Sequence, residues 1–210
     1  MATRAATTGT TKAATTGTTK AATTGTTKAA RTRASILERA VDIASVDGLQ
    51  GLTIGRLADE LRMSKSGLFA HFGSKEELQL ATVEAAAKRF YDEVVAPAQS
   101  EAEGAARLRA YCERYIDYLQ RKVFAGGCFW AATAAEFDDR PGPVRDAVRA
   151  GVLGWMRELE RQAAHAGVDD AAELAFEIYS LGLGANACSR LLADERAFAR
   201  AQGAIERRLP

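Results

Sequence analysis

The sequence contains few of the residues that characterise disulfide-bonded or metal-dependent proteins. It has three cysteines and two histidines in 210 residues, and no two cysteines form a CxxC pair. Cys112, Cys128 and Cys188 are odd in number and widely spaced, which argues against a disulfide framework and against a zinc site. We therefore predict no metal or cofactor, and we favour buried thiols packed as small apolar side chains over a reactive thiol.

Long apolar stretches are also missing. No run approaches the roughly 18 consecutive apolar residues of a membrane span, and the N-terminus lacks the apolar segment of a secretory signal. The apolar fraction of 47% is nevertheless sufficient for a packed core. The sequence therefore predicts a cytoplasmic protein of one or two domains without a membrane partner.

The sequence also has little net charge, because its 28 basic and 27 acidic residues sum to only +1. The first thirty residues differ, since they hold four basic residues and no acidic one, namely Arg4, Lys12, Lys20 and Lys28. Residues 5–28 repeat AATTGTTK three times, a composition too poor in apolar residues to offset the entropy of ordering. We predict a disordered basic tail over residues 1–30, which is either a cationic arm that attracts phosphates or only a solubilising extension.

Helical periodicity dominates the rest of the sequence. From Arg31 onward, apolar residues recur at intervals of three and four, and no long stretch alternates as a β-strand would. The pattern predicts an all-α protein of about nine helices. A small three-helix unit is expected over residues 31–75, and a larger helical bundle over residues 76–210.

Capping residues and helix breakers indicate where these helices begin and end. The first ones along the chain are Gly48, Thr53 as an N-cap, Gly73, the Ser74 and Glu77 capping box, and Pro97. Later helices are expected over about residues 101–123, through Trp130, over 144–166 and 169–193, and after Asp194. The segment DDRPGP at residues 138–143 is expected to be a loop.

The second and third helices of the small unit are too short to be stable alone, so they must pack on the first helix. Leu57, Leu68 and Phe72 supply the apolar side for this packing. The opposite side of the third helix carries small or hydrogen-bonding residues. A slim helix of this kind fits the major groove of B-DNA, which is about 12 Å wide. The pattern predicts a helix-turn-helix that reads DNA.

The stretch GLQGLTIGRLADELRMSKSGLFAHFGSKEEL resembles the N-terminal domain of the TetR family of transcriptional regulators. The resemblance covers about residues 34–80, and the residues in register with the family pattern are His71, Phe72, Lys75 and Leu78. It implies phosphate contacts from Thr53, Lys65, Phe69, His71 and Lys75. It places four further residues nearest the bases, namely Ser64, Ser66, Gly67 and Ala70.

Two positions depart from the family pattern. Phe69 stands where the family often has an aromatic hydroxyl, so only its ring contact is carried over. Arg62 stands where a glycine is common, so the turn either avoids positive φ or bears strain. The side chain of Arg62 is also a candidate for contact with phosphate. Outside this context His71 would be a surface histidine and Lys75 a solvated charge, although Lys75 opposes the dipole of the helix it begins and so indicates an external anion.

Aromatic residues with polar groups are frequent in the C-terminal bundle. The simpler interpretation is a helical core, but a mostly apolar cavity with a few orienting hydroxyls would use the same residues. TetR relatives generally hold an inducer in this domain. On that basis we expect a ligand pocket formed by Tyr111, Tyr115, Phe129, Trp130, Thr133, Trp155, Phe176 and Tyr179.

Small residues interrupt the helical pattern LGLGANACSRLL at residues 181–192. Glycine in a helix costs about 1 kcal/mol relative to alanine, but small residues let another helix approach closely. That helix belongs either to the same bundle or to a second copy of the chain. The family resemblance favours a homodimer interface formed by Leu181, Gly182, Gly184, Ala185, Cys188 and Leu192 with the terminal helix.

The TetR resemblance implies a homodimeric regulator, usually a repressor, that binds double-stranded DNA at a palindromic operator and is released by a small-molecule inducer. Such a protein would be cytoplasmic and associated with the nucleoid. The alternative is a non-specific chromosome-coating protein that acts through the basic tail. An enzyme is not supported, because the sequence has no phosphate-binding glycine loop, no metal-ligand spacing and no histidine beside a nucleophile.

Overall fold

Nine α-helices make up most of the chain that the structure describes. The computed structural model describes residues 28–210 and contains no β-strand in that range, which confirms the all-α prediction. Residues 1–27 of the predicted tail lie outside the described residues. Its last three residues differ from the prediction, because residues 28–30 form the first turn of helix α1. Alanine and lysine favour helix, and Thr32 Oγ1 donates a hydrogen bond of 3.0 Å to Lys28 O.

The N-terminal unit consists of α1 (Lys28–Gly51), α2 (Ile54–Leu61) and α3 (Lys65–Phe72). Helix α1 bends at Gly48, whose φ of 75° and ψ of 167° are not helical, and then resumes for one short turn. The bend stands where the sequence predicts the end of the helix. Glycine adopts this φ without the steric cost that a side chain would add.

Helices α2 and α3 are fixed at their starts and along one face. Thr53 Oγ1 accepts the backbone N–H of Arg56 at 3.2 Å, as expected of an N-cap. Ser64 Oγ accepts the N–H of Gly67 at 3.0 Å in the same way. Leu68 of α3 is fully buried against the rest of the unit. The two short helices are thus stabilised by their caps and by packing rather than by their length.

Helix α4 (Lys75–Phe90) runs from the N-terminal unit into the bundle. Ser74 Oγ accepts the backbone N–H of Glu77 at 3.0 Å, which is the predicted capping contact. The chain then continues through a π-helical turn, Tyr91–Val95, and a 3-10 turn, Ala96–Ala98. The α- and π-helical part thus ends at Val95, as predicted, but Pro97 does not end the helical chain at once, because it lies within the 3-10 turn.

Five helices complete the bundle: α5 (Ala105–Gln120), α6 (Phe129–Phe137), α7 (Pro143–His165), α8 (Ala171–Leu191) and α9 (Ala197–Glu206). Helix α7 packs on α4, α5, α6 and α8. Its Trp155 meets Phe90 of α4 edge-on, with ring centroids 5.1 Å apart. The helix expected from residue 101 begins later, because Gly104 has a φ of 91° and its N–H donates to Gln162 Oε1 at 2.9 Å. None of the helices in residues 28–210 combines the length and apolar character that crossing a bilayer requires.

Helix α1 packs on the bundle through α4 and α6. One tight contact joins Ser45 of α1 to Gly126 in the loop before α6, where the Gly126 N–H donates to Ser45 Oγ at 2.8 Å. A Cβ on Gly126 would overlap the backbone carbonyl of Ser45. The N-terminal unit is therefore held against the bundle by direct backbone contact.

Candidate nucleic-acid interface

The face of α3 that points away from the core is open to solvent. Of the nine residues assigned to DNA contact, seven are exposed, and the other two, Gly67 and His71, are half-buried. Phe69 keeps 52% of its surface exposed although it is a large apolar residue. The ring of Phe69 is thus available to contact DNA, although it lacks the hydroxyl group that the family often has at this position.

The inner face of α3 fixes the direction of this exposed side. Leu68 is fully buried and Phe72 is 7% exposed. The guanidinium of Arg33 on α1 lies 5.1 Å from the centroid of the Phe72 ring. Gly73 ends the helix with a φ of 75°, and its N–H donates to Phe69 O at 2.7 Å. Rotation of α3 about its axis would expose apolar side chains, so the polar face stays outward.

The turn before α3 adopts a left-handed conformation at Arg62, with φ 53° and ψ 38°. Of the two conformations that the sequence left open, the structure has the strained one, which costs a non-glycine residue on the order of 1 kcal/mol. Hydrogen bonds offset part of this cost, because Arg62 N–H donates to Asp59 O at 3.2 Å and Met63 N–H to Ala58 O at 2.9 Å. The side chain of Arg62 is exposed.

Lys75 joins the start of α4 to the end of α1. Its Nζ donates to Gln50 O at 2.9 Å and to Gln50 Oε1 at 3.2 Å. An ammonium group has three N–H donors, so one remains for an external acceptor. Contact of Lys75 with phosphate stays a prediction, and the structure adds a second role in which Lys75 positions the end of α1.

Glu136 of α6 holds the short turn that follows the bend in α1. The bend at Gly48 frees two backbone N–H groups, and those of Leu49 and Gln50 donate to the two Glu136 carboxylate oxygens at 2.7 Å each. Gln79 Nε2 of α4 donates to Leu49 O at 2.6 Å. Together these contacts form an α1 clamp, made of residues 48–50 with Glu136 and Gln79. No sequence pattern indicates this role for Glu136, because its partners are more than 80 residues away in the chain.

Two family models match this sequence. The one described as bacterial regulatory proteins of the tetR family matches residues 36–82, which include α2, α3 and the start of α4. The one described as the tetracyclin repressor-like C-terminal domain matches residues 104–205. The chain belongs to the TetR family. Helices α2 and α3 are the helix-turn-helix of a TetR-type fold.

Solved structures of TetR-family proteins share the fold. A TetR transcriptional regulator from Chloroflexus aurantiacus J-10-FL is 26% identical, with a TM-score of 0.77 over 85% of this chain and 93% of that chain. A TetR-family regulator from Streptomyces coelicolor is 25% identical, with a TM-score of 0.72 over 85% and 93%. AibR, solved with isovaleryl coenzyme A and operator DNA, is 24% identical, with a TM-score of 0.66 over 82% and 97%. No curated protein matches the sequence significantly.

The bundle of this TetR-family protein contains a cavity of about 20 Å³. Four of the predicted pocket residues line it with four others: Tyr115, Trp130, Trp155 and Tyr179 with Phe90, Cys128, Gly151 and Val152. The volume is close to that of one water molecule, so any larger ligand requires the rings to move apart. Trp155 Nε1 is buried and has no hydrogen-bond partner in the described range. None of the eight lining residues is charged.

The other four predicted pocket residues do not line the cavity. Tyr111 donates its hydroxyl to Glu158 Oε1 at 2.8 Å. Thr133 donates to Phe129 O at 2.9 Å, so its hydroxyl is used within α6. Phe176 is 55% exposed and borders a groove between α8 and α9. It belongs to that groove rather than to the cavity, because it lies on the outer side of α8.

The groove between α8 and α9 has a volume of about 730 Å³ and a mostly apolar surface, although five of its fourteen lining residues are charged. Four residues predicted for the dimer interface line it, namely Leu181, Gly184, Ala185 and Cys188. Leu192, the C-cap of α8, is 68% exposed. Gly182 differs from the prediction, because it is buried and a Cβ there would overlap the Tyr115 ring. Its small size serves packing inside the bundle.

Two of the three thiols are buried and resist ionisation. Burial raises the pKa of Cys112 to about 12 and also raises the pKa of Cys128. Both thiols are protonated at neutral pH and are poor nucleophiles and metal ligands. Within residues 28–210, no three His, Cys, Asp or Glu side chains are grouped so as to hold a metal ion.

Proposed function

We propose that this protein is a homodimeric TetR-type repressor that binds a palindromic operator and leaves the DNA when a small-molecule inducer binds the bundle. The observation that carries the proposal is the exposed outer face of α3, which buried Leu68 holds outward. A helix with this profile inserts into the major groove and presents its first turns to base edges.

The chemistry of α3 supports a division between base and phosphate contacts. Ser66, Gly67 and Ala70 are small, so the helix can approach the base edges closely, and the Ser66 hydroxyl can donate or accept a hydrogen bond. Lys65 and His71 carry cationic or N–H groups that suit phosphate oxygens. The small residues therefore set the sequence preference, while the larger ones set the position on the duplex.

Dimerisation is supported by the apolar groove and the residues near it. Phe176 and Leu191 are 55% and 84% exposed, although both are large apolar residues. A second copy packed on the same face about a two-fold axis would remove them from water. Such a dimer would place two α3 helices about 34 to 36 Å apart, which is one turn of B-DNA and the reason that we propose a palindromic operator.

Release of the protein from DNA by an inducer is supported by the cavity in the bundle. Five of its eight lining residues are aromatic and none is charged. We therefore propose an uncharged, largely apolar inducer with a hydrogen-bond acceptor for Trp155 Nε1. Helix α6 carries Trp130 at the cavity and Glu136 at the α1 clamp. An inducer that displaces Trp130 would move this helix and weaken DNA binding by the difference in its affinity for the two conformations.

The experiment that tests the function is selection of bound duplexes from random DNA with the full-length protein. We expect an inverted repeat whose half-sites lie about 10 base pairs apart, bound at least about a thousandfold more tightly than random duplex. Enrichment of no common sequence, with equal affinity for all duplexes, would instead support the chromosome-coating alternative.

Matched variants test the dimer within the same experiment. Leu191→Arg places a charge at a residue that is 84% exposed, so it should leave the fold intact and produce monomers in sedimentation. Those monomers should select half-sites rather than inverted repeats. Ala150→Arg, at an exposed position of α7, makes the same charge change and should remain dimeric. A dimeric Leu191→Arg protein would contradict the proposed interface.

Intrinsic fluorescence tests the inducer class. Both tryptophans of the chain line the cavity, so their emission reports on this site. We expect acetophenone, a neutral aromatic ketone, to shift the emission and to raise the melting temperature, and benzoate of similar size to do neither. Trp155→Phe keeps an aromatic ring but removes the N–H donor, and should weaken acetophenone binding about fivefold. Equal responses to the ketone and the carboxylate would refute an uncharged-ligand site.

A further inference from the structure

The connection between α5 and α6, residues 121–128, packs against several other helices. Phe124 is fully buried, and its ring centroid lies 5.1 Å from the guanidinium of Arg89 on α4. The same guanidinium pairs with Asp42 of α1, with 3.2 Å between Nη1 and Oδ1. One side chain of the connection therefore packs on the ion pair that joins α1 to α4.

Two consecutive glycines of this connection meet different neighbours. A Cβ on Gly126 would overlap the backbone of Ser45 on α1, and a Cβ on Gly127 would lie 2.8 Å from Cδ and Nη1 of Arg190 on α8. Both glycines are buried. The contact with α1 and the contact with α8 are therefore made by adjacent residues that have no side chain to separate them.

The backbone of the connection is fixed by its own hydrogen bonding and by its surroundings. Gly127 has a φ of 91°, and its N–H donates to Phe124 O at 2.9 Å, which closes a tight turn. Lys122 has a φ of 54°, which is sterically unfavourable for a residue with a side chain. Such backbone persists only where the neighbouring structure holds it, so a displacement of α8 is passed on to α1 rather than absorbed by the connection.

Arg190 lies in the last turn of α8, beside part of the proposed dimer interface. The next residue, Leu191, is 84% exposed. Within residues 28–210 the Arg190 guanidinium makes no hydrogen bond or ion pair, so its stem contributes packing against Gly127. In a dimer built on α8, contacts would run from the interface through Arg190, Gly127 and Gly126 to α1.

We propose that Arg190, Gly127 and Gly126 form a spacer between the dimer interface and α1, and that this spacer determines which half-site separation the dimer accepts. The inference rests on the proposed function as an operator-binding dimer. One inserted base pair moves a half-site by about 3.4 Å along the duplex and turns it by about 35°. A stiff spacer cannot follow this change, so only one α3 of the dimer binds well. The three residues are thus specificity-determining although they do not touch DNA.

The test measures binding of the full-length protein to operators whose half-sites are about 9 to 12 base pairs apart. The wild type should lose affinity about tenfold for each base pair away from its optimum, and Arg190→Ala, which removes the stem beside Gly127, only about threefold. Arg190→Lys keeps the stem and the charge and should retain the wild-type preference. Arg157→Ala, exposed on α7, is the control for the lost charge and should also retain it.

Hydrogen exchange tests the spacer without DNA. In Arg190→Ala, amide exchange should rise about threefold to tenfold in residues 121–128 and in residues 41–47 of α1, because the packing that restrains them is weaker. Residues 156–165 of α7 should exchange as in the wild type. Sedimentation should show that both Arg190 variants are dimeric.

The outcomes separate the spacer from the function it rests on. An unchanged spacing preference in dimeric Arg190→Ala, or an equal change in Arg157→Ala, would overturn the proposal. Unchanged exchange in α1 would do so as well, and a monomeric Arg190→Ala protein would place Arg190 in the dimer contact itself rather than in a spacer. If the wild type selects no inverted repeat, the repressor proposal fails, whereas hydrogen exchange still decides whether Arg190 restrains α1.

Discussion

Ala70→Glu is expected to weaken operator binding at least about a hundredfold without unfolding the protein. Ala70 is exposed on the outer face of α3, so a longer side chain can extend into solvent in the free protein. In the proposed complex its carboxylate would face bases and phosphates, and an unfavourable charge contact of about 3 kcal/mol corresponds to a hundredfold loss of affinity. Fluorescence anisotropy with labelled operator measures the effect.

The matched control for this prediction is Ala150→Glu. Ala150 is exposed on α7 and receives the same charge, so the two variants have the same net charge. Only the α3 variant should lose affinity, and circular dichroism should show both folded. Similar losses in the two proteins would mean that net charge rather than α3 governs binding, and normal binding by Ala70→Glu would remove α3 from the interface.

Gly126→Ala is expected to lower the free energy of unfolding by about 3 kcal/mol, or the melting temperature by about 10 °C. The added Cβ would overlap the Ser45 carbonyl, which is backbone and cannot turn away as a flexible side chain can. Relief requires the loop before α6 to separate from α1, which also breaks the hydrogen bond between Gly126 N–H and Ser45 Oγ. Thermal unfolding followed by circular dichroism measures the loss.

Gly154→Ala provides the comparison for this variant. Gly154 lies within α7 and is exposed, and a Cβ added there would meet no neighbouring group of the described chain within 4 Å. Alanine is the better helix former there, so stability should rise by up to about 1 kcal/mol. Equal destabilisation by the two substitutions would show that the close packing of Gly126 on α1 is not the cause of the stability loss in Gly126→Ala.

Local chemistry explains which parts of the fold are predictable from the sequence. The caps at Thr53 and Ser74 depend on residues three positions away, so the sequence alone indicates them. The later start of α5 depends on Gln162, which accepts the Gly104 N–H from a distant helix. A pattern within one segment contains no information about such a partner, and the predicted start at residue 101 therefore precedes the observed one.

The candidate sites show the same limit. Leu68 and Phe72 lie one helical turn apart, which places both inside and leaves Ala70 on the outer side. Helix α8 has small and apolar residues on several sides, so the sequence could not show that Phe176 faces the groove or that Gly182 faces Tyr115. Where a helix is apolar on most sides, its neighbours decide which residues form a site.

The α1 clamp limits how the two domains can be recombined in engineered biosensors. Glu136 and Trp130 are six residues apart on α6, a separation of about 9 Å. A chimera that takes α6 from one regulator therefore takes both the contact with the N-terminal unit and one wall of the cavity. A chimera that exchanges residues 28–75 between regulators must retain a glycine at the bend and a carboxylate on α6 as a pair. Exchange of one without the other would leave two backbone N–H groups unsatisfied at the domain junction.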